Sequence, residues 1–436
     1  MVGACAPMPI RIGTRESLAG LRDQTLRWLL SGTICERYLD NILVAFCERL
    51  RAGGVSVARA TLHLSTHHPQ WLGIRILWQL GISEPRSQPL AYGYLDAEAA
   101  AHGPVAAILS GAERVHRRLH AEGTGTAGAA MDPLYRLDGQ GLTDYVAWPL
   151  RFTLGKRHMA DFASDHPDGF SDAERDLLED LLPALAVVVE VRHKNRLTRL
   201  LLDTYVGPHA GEMILDGVTR RGSGTTMEAA VLIADLRGFT ELAERRPRDE
   251  VIGTLNDFFD AICAPIERNG GEILKFMGDG LLATFPLSEP DACRATLRTA
   301  REACSGMKAL NRDRAGRGLS QLGYGIGVNV GIVTYGNIGS HARLDFTMIG
   351  SAVNVAARLE NLTKVLGYHV LFSGAFAALA HDGGELARLG TFPLRGLAKP
   401  LEVFTFEAFL SDGGRPAARA DDRARHHQTG CPVLNE

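Results

Sequence analysis

No long apolar run, no excess of charge and no cysteine framework marks this 436-residue chain. Its longest apolar stretch, near Leu181–Val189, is closed by Glu190, far short of the roughly 20 residues a membrane-spanning helix needs. The start, MVGACAPMPIRIGTRE, lacks the apolar core of a secretory signal. No transmembrane segment and a cytoplasmic location are therefore expected. Lys and Arg total 47 against 50 Asp and Glu, a balance that calls for neither a nucleic-acid partner nor an anionic membrane. The seven cysteines are odd in number and none stands in CxxC spacing, which excludes a disulfide scaffold and a zinc ribbon. With 45% hydrophobic residues and only 48 Gly and 19 Pro, the composition is that of a globular protein, not of a collagen-like, mucin-like or disordered one. The length suits two or three domains of about 100–200 residues each.

What is present begins with helical periodicity. ESLAGLRDQTLRWLL and YLDNILVAFCERLR space their apolar residues three and four apart, and Gly53-Gly54 stops the second. VSVARATLHLS and GIRILWQL alternate as strands, and DYVAWPLRF with RHMADFAS reads as an antiparallel pair across Thr153–Lys156. The Ala/Gly-rich stretch Ala97–Met131 specifies no element. Ser171 with Glu174 three residues on forms a capping box that opens a long helix. The strands followed by FSDAERDLLEDLLPALA resemble a GAF domain, a small-ligand or redox sensor, over residues 36–195. The expected order is a helical segment 1–35, the GAF-like α+β domain 36–195, a helical coupling linker 196–226, a second domain 227–410 and a disordered tail 411–436 with almost no apolar content. Cys35 and Cys47 read as buried, inert thiols, and Trp71, Trp78 and Trp148 as core residues.

Three windows carry chemistry. In AVLIADLRGFTELAER an apolar strand delivers Asp235 to its end, Gly238 allows a tight turn and Thr240 begins a helix. Such a carboxylate can hold a divalent metal beside backbone N–H groups that face phosphate oxygens, or it can simply cap the helix. GGEILKFMGDGLLATF reads as a hairpin with Asp279 at its tip. If the two strands are neighbours the carboxylates converge, and two carboxylates bridging two metal ions serve in-line displacement at phosphorus. Lys275 is expected to leave its strand on the face opposite Leu274 and Phe276. In the third window, strands GIGVNVG and LDFTMIG flank a Gly-rich arm, GNIGS, before a helix that starts near Ser351. Asn354 and Arg358 share one face of that helix, as a solvated stripe or as a clamp on phosphoryl charge.

Together, DLRGFT, KFMGDG and DFTMIGSAVNVAARLE closely resemble the catalytic domain of class III adenylate and guanylate cyclases, from Glu228 to Phe406. RLLLDTYVGPHAGEMILDG is similar to the segment that couples sensors to such domains. The resemblance implies an α+β fold with an antiparallel-rich sheet covered by helices. It implies Asp235, Asp279 and the carbonyl of Leu236 as ligands of two Mg2+ or Mn2+ ions. Lys275 and Thr347 fall where the family reads the purine. Lys can donate to adenine N1 and Thr can accept from its amino group, whereas guanylate cyclases usually carry Glu and Cys there. Asn354 would orient the ribose, Arg358 would stabilise charge at the α-phosphate, and the backbone of Gly238, Phe239 and Thr240 would hold the outer phosphates. Arg395, with Lys399 as the alternative, would touch the triphosphate.

The implied substrate is ATP, the products 3′,5′-cyclic AMP and pyrophosphate. The implied assembly is a homodimer with two shared sites, governed by an unknown small ligand or redox signal at the front domain. A guanylate cyclase and a catalytically silent nucleotide-binding module are the alternatives. A diguanylate cyclase is disfavoured because its GG(D/E)EF hairpin is replaced here by MGDG.

Overall fold

The computed structural model describes residues 18–66, 71–82, 84–92, 103–119, 141–380 and 384–411. The expected tail after Ser411, the first 17 residues of the expected helical segment 1–35, and Cys5 and Cys431 lie outside the described residues. The chain divides after Leu201 into two compact units.

The first unit is built on six strands: β1 (Val57–Ser65), β2 (Trp71–Gln79), β3 (Arg86–Ala91), β4 (Val115–Arg118), β5 (Asp144–Arg151) and β6 (Arg157–Ser164). Their order is β3-β2-β1-β6-β5-β4, with every pair antiparallel. On one face, Phe46 and Leu50 of the helix Leu39–Ala52 and Leu181, Leu185 and Val189 of the helix Asp172–Val206 pack with Leu62, Trp148 and Phe162. The other face is covered as well, by Val105 and Ile108 of the short helix Pro104–Leu109 against Tyr145 and Met159. The alternation read in β1 therefore marks two buried faces instead of one buried and one wet. Ser171 and Glu174 close the capping box reciprocally: the Ser171 amide donates to the Glu174 carboxylate at 2.8 Å, and the Glu174 amide to Ser171 Oγ at 3.2 Å.

Two expectations fail in this unit. Cys35 is exposed, because a π-helical turn at Trp28–Gly32 breaks the first helix and leaves Cys35 in the connection, whereas Cys47 is buried. Trp71 begins the strand β2 at 37% exposure, while Trp78 and Trp148 are core.

The second unit contains β7 (Gly224–Arg237), β8 (Glu272–Met277), β9 (Gly280–Pro286), β10 (Gly323–Gly339), β11 (Leu344–Ile349), β12 (Val370–Ser373), β13 (Leu386–Phe392) and β14 (Leu401–Phe406). The order is β13-β14-β12-β10-β7-β9-β8, with β11 on the far end of β10. Only β10 and β12 run parallel. Helices Arg248–Arg268 and Ala292–Gly316 cover one face through Phe258, Ile262, Ala300 and Ala303 against Leu232, Leu281 and Phe285. The helix Ser351–Leu366 and the short helix Pro208–Leu215 cover the other. The GNIGS arm is not a loop: β10 continues through it to Gly339 and pairs with β11 from Thr334↔Ile349 to Gly339↔Leu344.

The glycines of GIGVNVG explain how close the helix Ser351–Leu366 comes. A Cβ on Gly327 would sit 2.2 Å from the Ala356 carbonyl oxygen, and one on Gly325 would meet Thr363 Oγ1 at 2.4 Å. Two bare positions on one face of β10 thus let a helix backbone rest directly on the sheet.

Candidate active site

β7 is an apolar strand whose last turn of pleat carries Asp235 between Gly280 of β9 and Gly325 of β10. The β8–β9 hairpin folds over it. Gly278 takes a left-handed φ of 71° in the turn, and the Leu236 amide donates to the Asp279 carbonyl oxygen at 3.0 Å. A Cβ at Gly280 would lie 2.8 Å from Asp235 Oδ1, so the glycine makes room for the carboxylate. The two acids feel each other: burial and then the charge of Asp235 raise the Asp279 carboxyl above its ordinary range.

No group of three or more His, Cys, Asp or Glu poised for a metal occurs among the described residues. The donors on offer are two carboxylates and the Leu236 carbonyl. That sparse, all-oxygen set fits Mg2+, which keeps several waters and takes further ligands from substrate phosphates.

Gly238 adopts a left-handed φ of 74° and caps the helix Phe239–Arg245, so β7 turns straight into a helix N-terminus. Amides of that first turn have no intrahelical acceptor. Phe239 anchors the turn in the core, and Thr240 is exposed.

Lys275 on β8 forms an ion pair with Asp345 on β11. Thr347, two residues further along the same strand, shares Asp345's face, while Phe346 and Met348 are buried on the other. Leu274 and Phe276 do not share a face as expected. The register shifts between Ile273 and Lys275, so Leu274 packs beneath the Pro208–Leu215 side and Phe276 meets Phe259 at 4.6 Å on the opposite side. The shift is a bulge, which re-aims side chains locally.

On the helix Ser351–Leu366, Asn354 is exposed and Arg358 half-buried. Among the described residues no ion pair or side-chain hydrogen bond holds the Arg358 guanidinium. It lies against the Arg395-Gly396 turn, where a Cβ on Gly396 would come within 3.1 Å of Arg358 Nη2. Among the described residues, no side-chain hydrogen bond or ion pair links Asn354 or Arg358 to Asp235 or Asp279.

Besides Asp345, sequence reading missed three residues that the fold brings in: Lys364, Glu360 and Arg237. Lys364 Nζ donates to Asp235 Oδ2 at 3.2 Å and lies 3.5 Å from Glu360 Oε1. Arg237 Nη2 donates to Thr363 Oγ1 at 2.9 Å and to the Tyr368 carbonyl at 2.8 Å, tying the strand end to the helix. The one available signal was the Glu360–Lys364 spacing of four, which by itself denotes only a helix-surface pair.

Residues 223–408 match the family described as the adenylate and guanylate cyclase catalytic domain. The second unit carries a class III nucleotidyl cyclase domain. Adenylate cyclase 1 of Rhizobium meliloti is 30% identical over 41% of this chain and 27% of its own length. An adenylate cyclase of Anabaena cylindrica is 33% identical over 35% of this chain and 30% of its own. A solved bacterial light-regulated adenylyl cyclase covers 52% of this chain and 64% of its own, at 29% identity and a TM-score of 0.44. The chain thus spans under a third of the length of these two curated relatives. No helix among the described residues is long and apolar enough to cross a membrane.

Proposed function

We propose that the chain is an adenylate cyclase that converts ATP to 3′,5′-cyclic AMP and pyrophosphate. The observation that carries the reading is the convergence of Asp235 and Asp279 where β7 runs into a helix N-terminus. Asp235, Asp279 and the Leu236 carbonyl would hold the two divalent ions, whose chemistry is to acidify the 3′-hydroxyl and neutralise the triphosphate. The first-turn amides after Gly238 would donate to oxygens of the outer phosphates. Arg358 meets charge that develops at the α-phosphate, Asn354 orients the ribose, and Arg395 adds a cation to the triphosphate.

Base selection falls to Lys275 and Thr347. An ammonium has three donors, so Lys275 can keep Asp345 and still donate to adenine N1. Guanine presents N1–H there and returns no acceptor. The two relatives described as adenylate cyclases agree with ATP over GTP. Incubation of the chain with ATP or GTP and Mg2+ or Mn2+, with products identified by mass, tests this. Cyclic AMP from ATP is expected; cyclic GMP from GTP as the main product would overturn it.

Among the described residues, no side-chain hydrogen bond or ion pair engages Asn354 or Arg358 on the helix Ser351–Leu366. That supports a head-to-tail homodimer in which each protomer supplies them to its partner's site. Asp235→Ala and Arg358→Ala chains should each be inactive and regain activity on mixing. Failure to rescue, with both variants folded and dimeric, would exclude shared sites. Residues 36–195 are proposed as a GAF-like sensor of a small ligand or redox signal, acting through the helix Asp172–Val206 and the linker 196–226. Product formation should change severalfold when residues 1–200 are removed.

A further inference from the structure

Asp235 and Glu360 come together where β7 meets the helix Ser351–Leu366, and Asp279 stands beside Asp235 on its other side. Asp235 and Asp279 belong to the hairpin side. Glu360 comes from the helix, its side chain 4% exposed. It occupies the gap left by Gly325, the β10 neighbour of Asp235: a Cβ there would lie 2.7 Å from Glu360 Oε1. That oxygen is buried and has no hydrogen-bond partner. A single ammonium stands among the three acids. Lys364 Nζ is 3.2 Å from Asp235 Oδ2 and 3.5 Å from Glu360 Oε1.

A divalent ion held by Asp235 would compete with this ammonium, since like charges a few ångströms apart repel strongly where water is partly excluded. The competitor has somewhere to go. Glu360 Oε1 is already within ion-pairing reach of Nζ, one helical turn back, and can draw the ammonium closer without any backbone movement. Arg237 clamps this end of the helix through Thr363 and the Tyr368 carbonyl, so a side-chain swing is the available motion.

We propose that Lys364 is a built-in counter-cation of the metal site: it neutralises Asp235 until a divalent ion arrives, then passes to Glu360, and so sets how tightly the cyclase domain takes metal before nucleotide binds. This makes Lys364 a positioning residue, and the inference rests on the reading of Asp235 and Asp279 as metal ligands.

The test is Mn2+ binding to the full chain without nucleotide, followed by the electron paramagnetic resonance of free Mn2+ and by thermal melting. Lys364→Met should bind Mn2+ about three- to tenfold tighter than the natural chain, a range set by a partly exposed ion pair. Its metal-free melting temperature should fall and its rise on adding Mn2+ should exceed that of the natural chain. A purely structural lysine would weaken or leave unchanged the Mn2+ affinity, and either result overturns the proposal. Lys364→Gln replaces the Met variant if the latter does not fold, with the same expectations. The Asp279→Asn chain separates the two layers. If the natural chain binds Mn2+ and Asp279→Asn does not, while Lys364 variants are unaltered, only the counter-cation role is wrong. If Asp279→Asn binds Mn2+ as well as the natural chain, the metal reading itself fails.

Discussion

The two units of this protein both place charged groups on β-sheets, yet they treat them oppositely. In the first unit Arg59, His63, Arg75 and Asp161 lie on the sheet at 5% exposure or less, and His63 Nε2 meets Asp161 Oδ2 at 3.0 Å. In the second, Asp235 at the end of β7 and Lys275 on β8 have side chains 25% and 41% exposed. The difference follows from where each residue sits along its strand. Mid-strand charge under a covered face is desolvated and must be paired to be tolerated. Charge at a strand end or hairpin tip stays hydrated and open to a ligand. The first arrangement spends polar groups on specificity of packing; the second leaves them available for chemistry.

Substitutions can break that contrast. The largest effect is expected at the proposed active site, where Asp279→Ala should lower cyclase activity at least about a hundredfold without lowering the melting temperature. Burial and Asp235 raise the Asp279 carboxyl in the folded protein, so its ionised form opposes folding near neutral pH and its loss relieves repulsion. A melting temperature that drops together with activity would show that Asp279 is structural after all.

Next comes the first unit's response to acid. His158 is held down to about 4 by burial, then by the nearby His193 and Lys156, and its Nδ1 accepts the Ser65 amide at 3.0 Å. The folded pKa lies below the unfolded value, so the unfolded chain takes up the proton first. Stability from this group is intact above about pH 6.5 and is lost as the pH falls towards 4, by about 2–3 kcal/mol. Denaturation followed by a probe in the first unit at pH 7 and pH 5 should show the drop, and His158→Gln should flatten it. An unchanged slope in that variant would assign the acid response elsewhere.

The smallest effect is local. Ser171→Ala removes the hydroxyl that accepts the Glu174 amide and should cost about 1 kcal/mol, read as a lower denaturation midpoint of the first unit with cyclase activity per folded molecule retained. A loss of activity as large as that of Asp279→Ala would mean that this helix start belongs to the catalytic machinery.

The local structure of the windows was legible because it sits in short contiguous motifs: Asp235 at a strand end before Gly238, Asp279 inside a Gly-Asp-Gly turn, Asn354 and Arg358 one helical turn apart. Edge strands β3 and β4 and the helix Pro104–Leu109 were not. Their segments are short and half polar, and their conformation is chosen by the sheet they join, not by their own periodicity. The exposure of Cys35 escaped for a related reason, since a π turn leaves no mark in apolar spacing.

Residue chemistry and near-neighbour spacing decided which groups stand at the strand end, the hairpin tip and the helix face, because turns, caps and strand ends are local properties. Tertiary structure alone decided that Lys364 faces Asp235, that Asp345 holds Lys275 and that Gly325 opens room for Glu360. Those partners lie 70 and 129 positions apart for the two ion pairs, and only closure of the sheet against its covering helix sets the distances on which their electrostatics depend.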